Sequence, residues 1–176
     1  GRAQAGAVPA VSVDWQKPVE PGVQLECVTL DALFNDSVTN IFRHEYLSPR
    51  SLFCSLATPK QGIGSWCHPA DSFEVNDAGL RGLAAKSDGR ILLPNGIPLA
   101  TPGGATAKNV LFVSQWDNFP DELTVPLGGK SSHAYFLMAG STSAMQSRFD
   151  NGEVIVTYND GTTARLALRN PETWWP

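Results

Sequence analysis

The clearest alternation of hydrophobic and polar positions lies near the end of the chain. In residues 153–158, and again in 163–168, an apolar side chain occupies every second position. This period places the apolar side chains on one face of a strand. Asn159, Asp160 and Gly161 lie between the two runs and are residue types suited to a hairpin turn with positive φ. The pattern therefore predicts a β-hairpin.

Short apolar runs elsewhere in the chain predict further strands. Runs of this kind, bounded by Gly, Pro or Asn, are typical of strands that are buried on both faces. Helical periodicity is not sustained in any segment, and the 16 Gly and 13 Pro residues favour turns over long helices. We expect strands at 23–30, 51–57, 72–75, 79–83, 91–93, 110–113 and 135–139. The pattern at 37–46 fits either a helical turn or a strand, and we favour strand or irregular structure there.

About nine or ten strand candidates in one chain are typical of an all-β fold. We therefore predict an antiparallel β-sandwich of the jelly-roll type, with a barrel of roughly five strands as the alternative. The chain has 176 residues, which is enough for one domain with a sizeable core. Residues 1–22 contain several prolines without periodicity, so we assign them to an extended arm or linker, and residues 23–176 to a single β-sandwich domain.

Composition argues against two classes of partner. The formal net charge is −4, whereas nucleic-acid binders carry basic patches. The sequence lacks the ~20 consecutive apolar residues of a membrane-spanning helix. It starts at Gly1 without Met or the apolar core of a signal peptide, and it ends at Trp174-Trp175-Pro176. We expect no nucleic acid and no membrane span, and we interpret the chain as a mature piece of a longer protein.

Residues 115–118 combine an indole ring with amides and a carboxylate. Trp116 lies beside Gln115, Asp117 and Asn118 in a predicted loop. A partly exposed indole stacks on the apolar face of a pyranose ring, and neighbouring polar groups form hydrogen bonds with the sugar hydroxyls. This combination predicts a contact with a sugar.

A second predicted loop, residues 58–69, carries the same types of group, and Phe119 adds a third aromatic ring. The alternative for all these rings is that they cap the ends of the sandwich, with the indole N–H bonded locally. We predict ligand contact by Gln61, Trp66, Gln115, Trp116, Asp117 and Asn118.

The acidic residues raise glycoside hydrolysis as an alternative activity. A glycosidase needs two carboxyl groups about 5–5.5 Å apart for retention, or roughly 6.5–9.5 Å apart for inversion. Asp117, Asp121 and Glu122 form the densest acidic group, and Asp71 and Glu74 form the second. Acids in a surface turn are ordinarily solvated, and no spacing along the chain pairs these groups. We assign no catalytic residue.

Metal binding is a further alternative for the same loop. Asp117, Asn118 and Asp121 offer the hard oxygen atoms that calcium prefers, although the EF-hand spacing is absent. The three histidines are widely separated and show no HxH or HExxH spacing, and the chain has no G-x-S-x-G motif. We predict no cofactor, with a structural calcium ion as the alternative.

The three cysteines, Cys27, Cys54 and Cys67, leave two states open. In an exported protein, a disulfide between Cys54 and Cys67 is the pairing that we favour, with Cys27 free. Buried free thiols are the other interpretation, because an unpaired cysteine behaves as a small core residue.

Four runs carry a resemblance to a known group of proteins. They are PKQGIGSWCHP at 59–69, WDNFPD at 116–121, PLGGKSSHAYFLMAGSTSAMQSR at 126–148 and NPETWWP at 170–176. On these runs the chain, from about residue 45 onwards, resembles the β-sandwich portion of large, mostly uncharacterised bacterial proteins associated with polysaccharide-degradation loci. The third run is also similar to sugar-binding jelly-roll modules of the galactose-binding-like type.

The resemblance implies an exported protein, periplasmic or extracellular, in which this module adjoins an (α/α)-type glycoside hydrolase-like region. The chemistry of that family would lie in the neighbouring region, so no catalytic pair is carried over. We predict a non-catalytic carbohydrate-binding or accessory module that contacts a polysaccharide or oligosaccharide through loop aromatics. One alternative is a purely structural domain that packs on an adjacent catalytic domain, and the other is a small glycoside hydrolase in its own right.

Overall fold

The computed structural model describes residues 6–7, 16–41, 76–114, 119–139, 148–169 and 172–173. They belong to two compact units: Gly1–Asp14 with Tyr135–Pro176 form unit 1, and Trp15–Ala134 form unit 2. The elements are β1 (Gly6–Ala7), α1 (Val38–Ile41), α2 (Ala78–Lys86), β2 (Arg90–Leu92), β3 (Pro98–Ala100), β4 (Asp150–Thr157) and β5 (Thr163–Arg169).

Unit 1 contains a three-stranded sheet with β5 at its centre. Strands β4 and β5 pair antiparallel, with Val154 opposite Leu166 and Val156 opposite Ala164. In the turn, Gly161 has φ 82°, a left-handed conformation that glycine adopts without strain. The predicted hairpin is confirmed, because its alternation and its turn residues both act locally.

The third strand of this sheet, β1, is two residues long and pairs with β5 in parallel, with Gly6 opposite Ala164. Strand β4 therefore lies at the other edge of the sheet. Strand β1 falls within residues 1–22, the predicted arm. The predicted boundary between arm and domain stays a prediction.

Unit 2 contains a two-stranded antiparallel sheet made of β2 and β3. The Leu93 N–H donates to the Ile97 carbonyl at 2.9 Å to close the connection, in which Gly96 has φ 90°. The Asn95 side chain is 2% exposed, and its Oδ1 accepts the Ile97 N–H at 3.3 Å. The strand predicted at 91–93 is confirmed, and it lies one residue earlier in the chain, at Arg90–Leu92. The predicted Asn95-Gly96 turn is also confirmed.

Helix α2 occupies the place where the sequence predicted a strand at 79–83. Ala84 is completely buried within it. The chain leaves the helix through Asp88 and Gly89, which have φ 52° and 71°, and the Gly89 N–H donates back to the Ala84 carbonyl at 2.9 Å. The strand prediction is wrong because a run of five residues is too short to reveal its period, and the good helix formers that follow extend the helix.

The prediction of a jelly-roll β-sandwich is wrong. The described residues form one three-stranded sheet and a separate two-stranded sheet, and neither a sandwich nor a barrel is present among them. The runs at 23–30 and 135–139 are irregular instead of buried strands, and within 110–113 only Val110 forms a bridge, to Asp36. An apolar run provides surface to bury, but it does not provide the neighbouring strand that its N–H and C=O groups need.

The other predicted elements are only partly covered by the described residues. Residues 38–41 form one helical turn, α1, so the preference for strand or irregular structure there is wrong. The strands predicted at 51–57 and 72–75 lie outside the described residues. Within the described part of the chain, four hydrophobic side chains are buried, and all of them belong to unit 2: Ala84, Ile91, Ile97 and Phe119.

Candidate functional site

The candidate sugar-binding segment is bracketed by residues that the structure describes. The Ser114 N–H donates to the Pro120 carbonyl at 2.9 Å, which brings the two ends of the segment together. Phe119 is 9% exposed, and its ring meets that of Phe112 edge to face, with centroids 4.6 Å apart. Phe119 is therefore a buried ring that packs on Phe112, and not an exposed ring available to a ligand.

The backbone of Phe112 is held in turn by the side chain of Asn35. Asn35 Oδ1 accepts the Phe112 N–H at 2.8 Å, and Nδ2 donates to the Phe112 carbonyl at 2.7 Å. The amide thus takes the place of a neighbouring strand, and the Asp36–Val110 bridge lies beside it. Asn35 therefore holds Phe112, which lies 77 positions later in the sequence and packs against Phe119.

The predicted contact residues themselves, Gln61, Trp66, Gln115, Trp116, Asp117 and Asn118, lie outside the described residues. The same is true of the acids Asp71 and Glu74 and of Cys54 and Cys67. Asp121 and Glu122 are described, and both are exposed, as expected for acids in a solvated turn. Cys27 is a half-buried free thiol. Sugar contact by the six residues therefore stays a prediction.

A buried polar cluster in unit 2, the Asp77 hub, consists of Thr39, Asp77, Arg81 and Asn109. Asp77 Oδ1 accepts the Thr39 hydroxyl at 3.0 Å and Arg81 Nε at 2.9 Å. Its Oδ2 accepts Asn109 Nδ2 at 2.9 Å. Burial acts to raise the pKa of Asp77, but the hydrogen bonds from Arg81, Asn109 and Thr39 outweigh it and hold this pKa below its ordinary value. The carboxylate is therefore ionised and fully engaged.

The cation of the hub is equally engaged. The Arg81 guanidinium donates to the carbonyl oxygens of Gly104 and Ala107, the second at 2.8 Å. The Arg81 and Asp77 side chains are 11% and 7% exposed. A buried charge pair with this many hydrogen bonds holds segments of the chain together and leaves little capacity for a ligand. The hub is structural.

Sequence reasoning missed this hub. Asp77 and Arg81 are four positions apart, the spacing at which side chains meet on a helix. That signal required residues 78–86 to be recognised as helical, whereas residues 79–83 were expected to form a strand. Asn109 has no comparable signal, because it lies 32 positions from its partner Asp77.

A second polar network lies on the surface of unit 1. Asp150 accepts Arg165 Nη2 at 2.9 Å and Arg169 Nη2 at 2.5 Å, and Arg165 also pairs with Glu153. Hydrogen bonds from Arg165 and then Arg169 hold the pKa of Asp150 below its ordinary value. The side chains of this network are 33–42% exposed, so water and salt screen them. These ion pairs connect side chains of β4 with side chains of β5.

An open cleft of about 460 Å³ lies within unit 2, between the 25–31 segment and the residues that follow α2 and β3. We call it the acidic cleft, because Glu26, Asp31 and Asp88 line it together with one cation, Arg90. Sequence reasoning did not anticipate it, since these acids are up to 62 positions apart and meet only through the fold.

The described part of the chain shows neither a metal-binding cluster nor a membrane-spanning helix. Over these residues, no group of three or more His, Cys, Asp or Glu side chains is placed to hold a metal ion. No helix in the same ranges has the length and apolar content that crossing a bilayer requires. The calcium alternative involves Asp117 and Asn118, which lie outside them.

Comparisons of the chain with protein-family models, with curated proteins and with solved structures found no match.

Proposed function

We propose that this chain is a non-catalytic carbohydrate-binding or accessory module of an exported polysaccharide-degrading enzyme, and that residues 115–118 contact the glycan. The observation that supports the proposal is that both ends of this segment are held in place. Ser114 and Pro120 are joined by a 2.9 Å hydrogen bond, and Phe119 is buried against Phe112. An indole, two amides and a carboxylate lie in sequence between those anchors.

A closed and anchored base favours binding for an entropic reason. Ordering a loop on binding costs free energy, and a loop whose ends are already held pays less of that cost. In this proposal Trp116 stacks on a sugar ring, while Gln115, Asp117 and Asn118 orient its hydroxyl groups.

A glycan array, followed by calorimetry on the strongest hit, tests this function. The wild-type chain should bind at least one polysaccharide, and Trp116→Ala should lower the affinity by about tenfold or more, a loss of about 1.4 kcal/mol. The matched control is Phe136→Ala, which removes another aromatic ring, 54% exposed and outside the segment. Silence of the wild-type chain across the array, or equal affinity of Trp116→Ala, would contradict the proposal. Hydrolysis of any polysaccharide by the isolated chain would support the enzymatic alternative instead.

A second candidate function, packing on an adjacent catalytic domain, is favoured by the surface of unit 1. Phe136 and Leu137 are 54% and 59% exposed, and Phe149, Ile155 and Tyr158 are at least half exposed. All five side chains belong to unit 1, and an exposed apolar surface marks a site that another protein covers where such side chains are contiguous. If this is the function, the apolar dye ANS should bind the isolated chain, and Phe136→Ser with Leu137→Ser should weaken its fluorescence. If the isolated chain does not increase ANS fluorescence, this alternative is contradicted.

A further inference from the structure

Residues 122–139 form a long exposed segment, which we call the connector. All of them are exposed except Val125, which is half-buried, and none belongs to a helix or a strand. Within the described part of the chain, residues 122–132 make no backbone hydrogen bond. The chain passes from unit 2 to unit 1 inside the connector, between Ala134 and Tyr135. A protease therefore reaches this backbone without unfolding either unit.

The backbone in the middle of the connector borders open space. A Cβ added at Gly128 or Gly129 would meet no atom within 4 Å, and Gly129 has φ 78°. Proteases bind a substrate as an extended strand whose N–H and C=O groups form hydrogen bonds with the enzyme. A segment whose backbone groups are not already bonded within the chain offers them for that purpose.

Lys130 gives the connector its chemical specificity. It is exposed, and it is the only Lys or Arg between Glu122 and Ala139. A serine protease with a carboxylate in its specificity pocket recognises such a side chain. Five other basic residues lie where the backbone is held in a helix or a strand: Arg81 and Lys86 in α2, Arg90 in β2, and Arg165 and Arg169 in β5.

We propose that the connector is a processing site for a trypsin-like protease, which cuts the chain between Lys130 and Ser131. Hydrolysis adds water across this peptide bond, so that Lys130 gains a carboxylate and Ser131 gains an ammonium group. The first piece keeps α1, α2, β2 and β3, and the second keeps the β4–β5 hairpin. Strand β1 belongs to the first piece but pairs with β5, so the sheet of unit 1 then contains strands from both pieces.

Limited digestion of the full chain with trypsin, followed by mass spectrometry of the intact products, tests the site. The first products should be residues 1–130 and 131–176. Lys130→Gln should slow the loss of the intact chain by about fivefold or more, because sites in helices and strands are cut only after local unfolding. Lys130→Arg keeps the cation and should be cut at the same bond as the wild-type chain.

The matched control is Lys86→Gln, which removes an exposed lysine at the end of α2. It should leave both the first cut and its rate unchanged, because the helix holds the backbone on either side of Lys86. Circular dichroism of Lys130→Gln and Lys86→Gln should match that of the wild-type chain. That measurement separates the loss of a cleavage site from a change of fold.

Size-exclusion chromatography of the cut chain tests whether unit 1 holds the two pieces together. They should elute together at high protein concentration and separate on dilution, because β1 contributes only the pairs Gly6–Ala164 and Ala7–Arg165. Ala7→Pro puts a residue without an N–H into β1. This variant, once cut, should separate at concentrations at which the cut wild-type chain stays together.

Three results would overturn the proposal: a first cut outside the connector, equal digestion of the wild-type chain and Lys130→Gln, or pieces that separate at every concentration. Co-elution that Ala7→Pro does not change would contradict the part assigned to β1.

Discussion

The two units of the chain are stabilised by different kinds of contact. In unit 2, hydrophobic residues such as Ile91 and Ile97 are buried together with polar residues such as Asp77 and Asn109. In unit 1, no described side chain is buried, and the strands are held by backbone pairing and by exposed ion pairs. A sheet of this size is marginal in water unless another surface covers one face. Substitutions should therefore affect the two units unequally.

The largest effect should come from the Asp77 hub. Asp77→Ala would leave the Arg81 guanidinium, 11% exposed, without its carboxylate. Breaking one partner of a buried pair costs about 3 kcal/mol or more, because the remaining charge is buried and uncompensated. Urea unfolding followed by amide signals of α2 and β2 measures the loss. A change below about 1 kcal/mol would show that the hub does not stabilise unit 2.

The second largest loss of stability should come from a substitution at Gly103. A Cβ at this position would lie 2.7 Å from the Ala85 nitrogen and 2.9 Å from its Cα, so Gly103→Ala forces the loop away from α2. We expect a loss of about 1–3 kcal/mol. The matched control is Gly82→Ala within α2, where a Cβ meets nothing within 4 Å. That control should gain about 0.5–1 kcal/mol from helix propensity. Thermal unfolding of the two variants compares them, and equal effects would contradict the close approach.

Acid should loosen unit 2 through the same hub. The pKa of Asp77 is lower in the folded chain than the ordinary value of 3.8. The stability contributed by this group is therefore complete above the ordinary value and is lost as pH falls through the folded pKa. Unfolding measured from neutral pH down to strong acid should show this loss, and Asp77→Ala should show less of it. If the wild-type chain and Asp77→Ala lose stability identically as the pH falls, the lowered pKa of Asp77 is contradicted.

The smallest effect should come from the surface network of unit 1. Arg165→Met removes the ion pairs with Asp150 and Glu153, but these side chains are 33–42% exposed. The loss should be smaller than that of Asp77→Ala and should fade at high salt, because solvent screens exposed pairs. Hydrogen exchange of the β4 and β5 amides at low and high salt measures it. A salt-independent loss as large as that in unit 2 would contradict the contrast between the units.

The predictability of the fold follows the range of the interactions. The β4–β5 hairpin and the Asn95-Gly96 turn were predictable, because alternation and turn residues act within a few positions. Helix α2 was missed, since the run considered, 79–83, is too short to show a period and Gly79 and Gly82 weaken the helical pattern. The runs at 23–30 and 135–139 have strand composition, but the described structure places no strand beside them.

The candidate site was also predictable only in those features that depend on neighbouring residues in the sequence. The sequence points to residues 115–118 by their chemistry, but it does not show that Phe119 is buried and Phe112 is its partner. It also does not reveal the acidic cleft, which Asp31 and Asp88 both line although they are 57 positions apart.

By itself, the sequence determined the features that depend on neighbours in the chain: the hairpin with its turn at Gly161, the Asn-Gly turn, and the clustering of ring, amide and acid at residues 115–118. Only the tertiary structure decided which apolar runs become strands, that Asp77 is bonded to Thr39 and Asn109, and that Thr101 lines an acidic cleft. The reason is physical. Contacts between distant segments depend on how the whole chain closes its loops and satisfies its backbone groups, and no local pattern encodes that choice.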